Sequence, residues 1–277
     1  MMTASFPSPV LTIDTSTPTL VTGVVDMLAD GTVAATENTV VNTRAHNELL
    51  MPTVFELLES TGTKLSELAA VVVGCGPGPF SGLRVGMATA SGLGHALGIP
   101  VYGVCSHDAI AWRALHPMET LDSTDTLDTT ETLDTTETLD TTGALNSPDM
   151  LGAAGATTGA AVVNVLVATD ARRRETYWAT YCGNRRVAGP DVGPAETLQP
   201  NVDRVVADPA IAQRLPEKLQ KLAAVESTPA VPSARGLVAV ADFAAAPQPL
   251  TPLYLRRPDA KEPAAKPVSA ALRWAEN

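Results

Sequence analysis

Cysteine is scarce in this chain of 277 residues: Cys75, Cys105 and Cys182 are the whole complement, and no two form a C-x-x-C pair. An odd number of widely spaced thiols gives no disulfide framework, and reduced thiols inside a cell are the simplest account. Apolar runs of membrane-spanning length are missing, and no Lys or Arg precedes Arg44. Neither a membrane span nor a basic leader is expected, which points to the cytoplasm. Positive charge is short as well, with a formal net charge of −11. Eight carboxylates between Glu119 and Asp140, with no Lys or Arg among them, carry most of that excess and leave the rest of the chain near −3. Neither part offers a strong basic face, so tight direct binding of a nucleic acid by this chain alone is not expected.

Glycine, by contrast, is concentrated. Gly74 to Gly98 reads GCGPGPFSGLRVGMATASGLGHALG, preceded by the apolar run Ala69 to Val73. That order predicts a buried strand, a tight turn preset by glycine and proline, and a long helix. Ser81 is the expected N-cap. Gly82, Gly86, Ala90 and Gly94 recur every four residues and leave one helical ridge almost bare. Each interior glycine costs a helix about 1 kcal/mol against alanine, and the usual return is close approach by another backbone. That backbone can belong to the same lobe or to another subunit, and the spacing leaves both open.

Around this stretch the chain divides. Val10 to Asp14, Thr19 to Leu28 and Thr32 to Val41 read as three antiparallel strands, with Asp14 ending the first. Asp14 fits a turn acid accepting local N–H bonds, or an acid organising a nucleotide. Arg44 to Thr61 reads as a helix with Leu50, Val54, Leu57 and Leu58 on one stripe, widened by Leu49 and Phe55, kinked at Pro52 and stopped by Gly62. His46 suits a surface or capping role. Ile99 to Val104 is a further strand. From Met118 to Leu145 the unit TLDTTE repeats every six residues, with a single Leu per unit and like-sign carboxylates. It cannot bury a core and reads as a linker. Ala161 to Thr169 then leads to Asp170, and Glu175 to Cys182 alternates as a returning strand. This repeats the strand–Asp–turn–strand order of Val10 to Val25. Arg172, Arg173 and Arg174 crowd the second turn, either as solvated charges or as an anion contact. Val202 to Ala207 is read as a strand, Pro216 to Ala224 and Arg235 to Ala245 as helices, Thr251 to Arg257 as extended. The expected organisation is a first lobe at 10–117, an acidic linker at 118–160, a smaller second lobe at 161–257 and a tail at 258–277.

Four segments carry a family resemblance: GPGPFSGLRVG from Gly76, VLTIDTS from Val10 to Ser16, TDARRRETYWATY from Thr169 to Tyr181, and PLYLRR from Pro252 to Arg257. Taken in chain order, with VLTIDTS first, they resemble the TsaB (YeaZ) family, within the Gcp-like superfamily. The resemblance implies an α/β fold of two lobes, actin-like, each ribonuclease H-like, the second smaller. It implies a noncatalytic subunit of the assembly that places threonylcarbamoyl on N6 of adenosine 37 in tRNAs reading codons that start with A. The expected partners are a TsaD-like catalytic subunit and a TsaE-like ATPase, with tRNA reached only through the complex, no membrane, and a homodimer when the chain is alone. No cofactor is expected to be held tightly by this chain; ATP and Mg belong to the assembled complex. The helices bearing Leu50, Val54, Leu57 and Leu58 and Gly82, Gly86, Ala90 and Gly94 are the expected partner interface, and Asp14, Asp170 and Arg172 the expected nucleotide-proximal groups. The catalytic sister carries an H-x-x-x-H pair that binds metal. Here His107 is followed four residues on by Ala111, so neither a catalytic residue nor a metal ligand is expected. The alternative is an independent ATPase or kinase of actin-like fold, or a Gcp-like metallopeptidase. The turn Thr15-Ser16-Thr17-Pro18 opposes the first because it lacks phosphate-approaching glycines. A serine hydrolase is opposed by Ser81, fourth rather than central in GPFSG.

Overall fold

A computed structural model describes residues 6–28, 31–41, 43, 45–117, 162–223 and 230–256. The expected linker and tail lie outside the described residues.

The first sheet has the order β3-β2-β1-β4-β5, built from β1 (Val10–Asp14), β2 (Leu20–Met27), β3 (Val33–Val40), β4 (Ala70–Gly74) and β5 (Val101–Val104). β1, β2 and β3 are antiparallel neighbours, while β4 runs parallel to both β1 and β5. β4 is apolar throughout and β1 is apolar at Val10, Leu11 and Ile13, because both faces of the sheet are covered. Leu11, Ile13, Val71 and Val73 face α1 (His46–Thr61) and α2 (Phe80–Leu97), which lie on the same side. Val10, Ala70 and Val72 face the opposite layer. α1 keeps Pro52 within it and ends on Gly62, whose φ of 66° suits glycine. α2 does not start as expected. Pro79, at φ −61° and ψ 137°, occupies the N-cap with no side-chain bond, and Ser81 falls in the first turn. The proline's fixed φ settles the entry two residues before Ser81 could cap it.

The second sheet repeats the plan in the order β8-β7-β6-β9, from β6 (Asn164–Asp170), β7 (Glu175–Cys182), β8 (Arg185–Pro194) and β9 (Arg204–Ala207). β6 and β7 are antiparallel and β9 runs parallel to β6, as β1, β2 and β4 do. This is the duplicated, two-lobed α/β architecture expected. β8 was not expected. Its sequence, RRVAGPDVGP, carries two prolines, and it survives as an edge strand with a register shift against β7. α4 (Pro209–Ala212) and α5 (Glu217–Ala223) cover this sheet through Ile211 and Leu219.

The layer on the far side of the first sheet is α3 (Ser106–Leu115) with α6 (Ala234–Ala239). α6 is shorter than the helix expected at Arg235 to Ala245. It belongs to the first sheet rather than the second: Ala234, Leu237 and Val238 pack on Val10, Val25 and Val72. Gly23 on β2 makes room for it, since a Cβ there would lie 2.3 Å from Ala234 Cβ. Ala234 N–H donates to Glu37 on β3 at 2.6 Å.

Candidate functional site

The turn between β1 and β2 folds inward. Asp14 is fully buried, and both carboxylate oxygens are in use. Oδ1 accepts from Ser16 N–H at 2.9 Å and Ser16 Oγ at 2.6 Å, and Oδ2 accepts from Ser106 Oγ at 2.6 Å. Ser106 Oγ in turn accepts from Gly76 N–H at 3.2 Å. Burial holds the Asp14 carboxyl above its ordinary value despite these bonds. A side chain at Gly74 would meet Asp14 Oδ2 at 1.7 Å, so glycine is required there. Burial, and the Asp14 charge after it, push the Cys75 thiol up to about 11.

α2 presses against the same turn. A Cβ at Gly78 would lie 2.3 Å from Ser16 O, one at Gly82 2.5 Å from Thr15 O, and one at Gly86 2.4 Å from Thr15 Oγ1. Thr15 Oγ donates to the Gly82 carbonyl at 2.8 Å. Gly94 faces Val101 on β5, with 2.2 Å between an added Cβ and Val101 Cγ2. The glycine ridge is therefore an intrachain approach, and reading Gly82, Gly86, Ala90 and Gly94 as a partner surface is corrected. The same holds for Leu50, Val54, Leu57 and Leu58, all buried in the first core. Sheet burial claimed both stripes, because each helix has only one strongly apolar face and the strands beneath require it.

The outward side of these two helices has its own character. Phe55 on α1 is 56% exposed. On α2, Arg84, Ala88, Gly92 and Ala96 form an exposed ridge at four-residue spacing. Gly92 lies inside a helix, yet a Cβ there would meet nothing within 4 Å. Its own fold does not require it. The signal was present in the sequence: Gly92 is two residues from Ala90, about 200° around the helix and so on the opposite face.

In the second lobe, Asp170 and Arg172 do come together. Arg172 N–H donates to Asp170 Oδ1 at 2.9 Å, and its guanidinium sits 3.7 Å from Oδ2. No hydrogen bond or ion pair joins Asp14 to either of them among the described residues. Sequence reasoning missed Asp208, at the end of β9, which accepts from Asp170 N–H at 3.2 Å. Burial, with Asp170 beside it, pushes the Asp208 carboxyl up to about 6. Arg172, Arg173 and Arg174 all have positive φ, at 65°, 50° and 67°. Left-handed backbone at non-glycine residues costs roughly 1–2 kcal/mol each.

α3 forms the seam between lobes. His107 is buried with Nε2 2.9 Å from Thr169 Oγ1, and burial pulls its pKa down to about 3. Tyr181 donates to Asp108 at 2.8 Å, Arg186 pairs with Asp108 at 3.2 Å, and Tyr177 donates to the Gly78 carbonyl at 3.4 Å. Among the described residues no group of three or more His, Cys, Asp or Glu is placed to hold a metal. His46 opens α1 without capping it. No helix among them is long and apolar enough to cross a membrane.

A family model described as TsaD, tRNA N6-adenosine threonylcarbamoyltransferase, matches residues 38–122. An uncharacterized protein of Mycobacterium tuberculosis is 41% identical over 257 residues, covering 92% of this chain and 94% of its own length. The tRNA threonylcarbamoyladenosine biosynthesis protein TsaB of Escherichia coli is 29% identical over 172 residues, 62% of this chain and 54% of that protein. The TsaB of Bacillus subtilis is 35% identical over 107 residues, 39% of this chain and 45% of that protein. These matches support assignment to the TsaB/YeaZ family. The solved structure of YeaZ from Pseudomonas aeruginosa agrees in fold, with a TM-score of 0.55 and 23% identity across 84% of this chain and 90% of that one. On α1 and α2, Phe55 and the ridge of Arg84, Ala88, Gly92 and Ala96 are exposed, whereas the expected stripes are buried.

Proposed function

We propose that the chain is a noncatalytic subunit in the formation of N6-threonylcarbamoyladenosine at position 37 of tRNAs reading codons that start with A. It acts by binding a TsaD-like catalytic subunit through the outer faces of α1 and α2. The relatives named TsaB support the pathway. The observation that carries the docking reading is Gly92, a helix-interior glycine with open space around it. Such a residue costs a lone helix about 1 kcal/mol and is accounted for by a second helix packing close. Exposed Phe55 supplies an apolar anchor of the kind that dominates interfaces. When the chain is alone, the same face is where a homodimer would form.

The first-lobe turn supports a supporting rather than a chemical role. Asp14 spends both oxygens on Ser16 and Ser106, and Thr15 and Ser16 fill the space above the glycines. In this reading ATP and Mg act in the assembled complex with a TsaE-like ATPase, and tRNA is reached only through that complex. Co-expression with the TsaD-like subunit and size exclusion test it. Phe55→Glu and Gly92→Leu should each abolish co-elution; the isolated chain should melt almost unchanged with Phe55→Glu and somewhat higher with Gly92→Leu, which gains about 0.8 kcal/mol of helix propensity. Co-elution of both variants at wild-type level would refute the docking reading.

A further inference from the structure

Residues 250–256 form no helix or strand, yet they are tied down along their length. Leu250 packs beside the first core and against Gly103 on β5, where an added Cβ would lie 2.8 Å from Leu250 Cδ2. Leu253 N–H donates to the Cys75 carbonyl, just past β4, at 2.8 Å. Tyr254 lies on Phe80 at the head of α2, with ring centroids 4.8 Å apart, and Arg84 covers the Phe80 ring at 4.3 Å. Two residues later the chain reaches the other sheet. Arg256 pairs with Glu175 at 3.3 Å and donates to the Ala171 carbonyl at 3.0 Å.

We infer that residues 250–256 are a strap coupling the two lobes, which holds the β4–α2 loop and the β6–β7 turn in one arrangement. Leu253 and Arg256 are three residues apart, a reach of at most about 10 Å. So short a tether has little slack, and a rotation of one lobe against the other must break one of its ends. The turn it holds is one that L residues disfavour, with positive φ at Arg172, Arg173 and Arg174. Two arginines from elsewhere in the chain grip its carbonyls: Arg256 donates to Ala171 and Arg214 donates to Arg174. The loop at the other end carries Tyr177's acceptor, Gly78, and so already touches the second lobe. Strap and seam thus enclose the junction from two sides.

Coupling predicts that cutting either end loosens both. Native-state amide hydrogen exchange on the full chain reads this directly. The reporters are Cys75 N–H, bonded to Val104 O at 2.7 Å, and Glu175 N–H, bonded to Arg172 O at 3.0 Å. Arg256→Ala cuts the second-lobe end and Tyr254→Ala the first-lobe end. Each should raise exchange at Cys75 and at Glu175 together by about tenfold, the scale of one charge-assisted hydrogen bond for Arg256 and of one aromatic pair for Tyr254. The amides of β1 and β6 should stay protected. Arg256→Lys should give the same pattern at smaller size, and it serves if Arg256→Ala does not fold. Loosening confined to the mutated end would overturn the strap. So would a rise spread across β1 and β6, which would indicate a general loss of stability.

Discussion

Two glycines of one helix should respond oppositely to the same change. Gly86 and Gly92 both lie inside α2, so alanine at either gains about 1 kcal/mol of helix propensity. At Gly92 the new methyl meets nothing within 4 Å, and the gain should appear nearly whole in the isolated chain. At Gly86 the methyl would sit 2.4 Å from Thr15 Oγ1. That oxygen cannot swing away cheaply, because threonine is stiff at χ1 and its hydroxyl is bonded to the Gly82 carbonyl. Overpacking of about 1–3 kcal/mol and loss of a bond worth about 1 kcal/mol outweigh the propensity gain. Gly86→Ala should therefore be less stable than Gly92→Ala by roughly 2–4 kcal/mol, measured by urea unfolding of the purified chain. Thr15→Ala removes the obstructing oxygen. The double variant Thr15→Ala/Gly86→Ala should then recover about 2–4 kcal/mol relative to the sum of the singles, because the overpacking disappears and the lost bond is counted once. Equal stabilities for the two glycine variants, or strict additivity in the cycle, would refute the placement of the ridge against the turn.

Asp208 titrates near 6 in the folded chain against an ordinary 3.8, so the native state holds its proton more tightly than the unfolded chain does. That contribution is complete below about pH 4 and is lost as pH rises through 6, amounting to roughly 3 kcal/mol by pH 7. Asp208→Asn keeps the neutral form, so its stability relative to wild type should climb between pH 4 and 7; a flat difference would contradict the assignment. His107 has the opposite sign, because its folded value of about 3 lies below the ordinary 6.5. Its stabilisation is present above pH 6.5 and lost on acidification, by roughly 2 kcal/mol at pH 5, and His107→Asn should remove that loss from the unfolding profile. Leu57→Ala, deep in the first core, should cost about 2–5 kcal/mol in urea unfolding.

The strands and the duplicated plan were legible because buried parallel strands read as continuous apolar runs and β1 and β6 each end in Asp. The arrangement around Asp14 was half legible. A turn acid accepting local N–H bonds was one of two readings, and Ser16 supplies such a bond. Its second oxygen goes to Ser106, ninety-two residues away, which no local pattern could reveal. The interface stripes failed for a simple reason. Apolar spacing identifies the face of a helix that is buried, and it is silent on what buries it. Phe55 was absorbed into the stripe it borders, and Gly92 was passed over because the ridge count followed its neighbours at four-residue spacing. β8 escaped because two prolines and an exposed edge erase the alternation on which strand reading depends.

α6 has a consequence for synthesis and for trimming the protein. The far face of the first sheet is closed by a helix that the ribosome delivers only after every strand of the second sheet. Until Ala239 has emerged, α3 stands alone in that layer and Val10, Val25 and Val72 lack the helix that completes their cover, so the nascent first lobe waits, incomplete, while its neighbour is made. A fragment cut at the boundary between the sheets would keep all five strands and still lack its cover, leaving a sticky apolar surface. The first sheet is complete only when the chain beyond the second has been made, and it is not a module to be lifted out by cutting where the sheets divide.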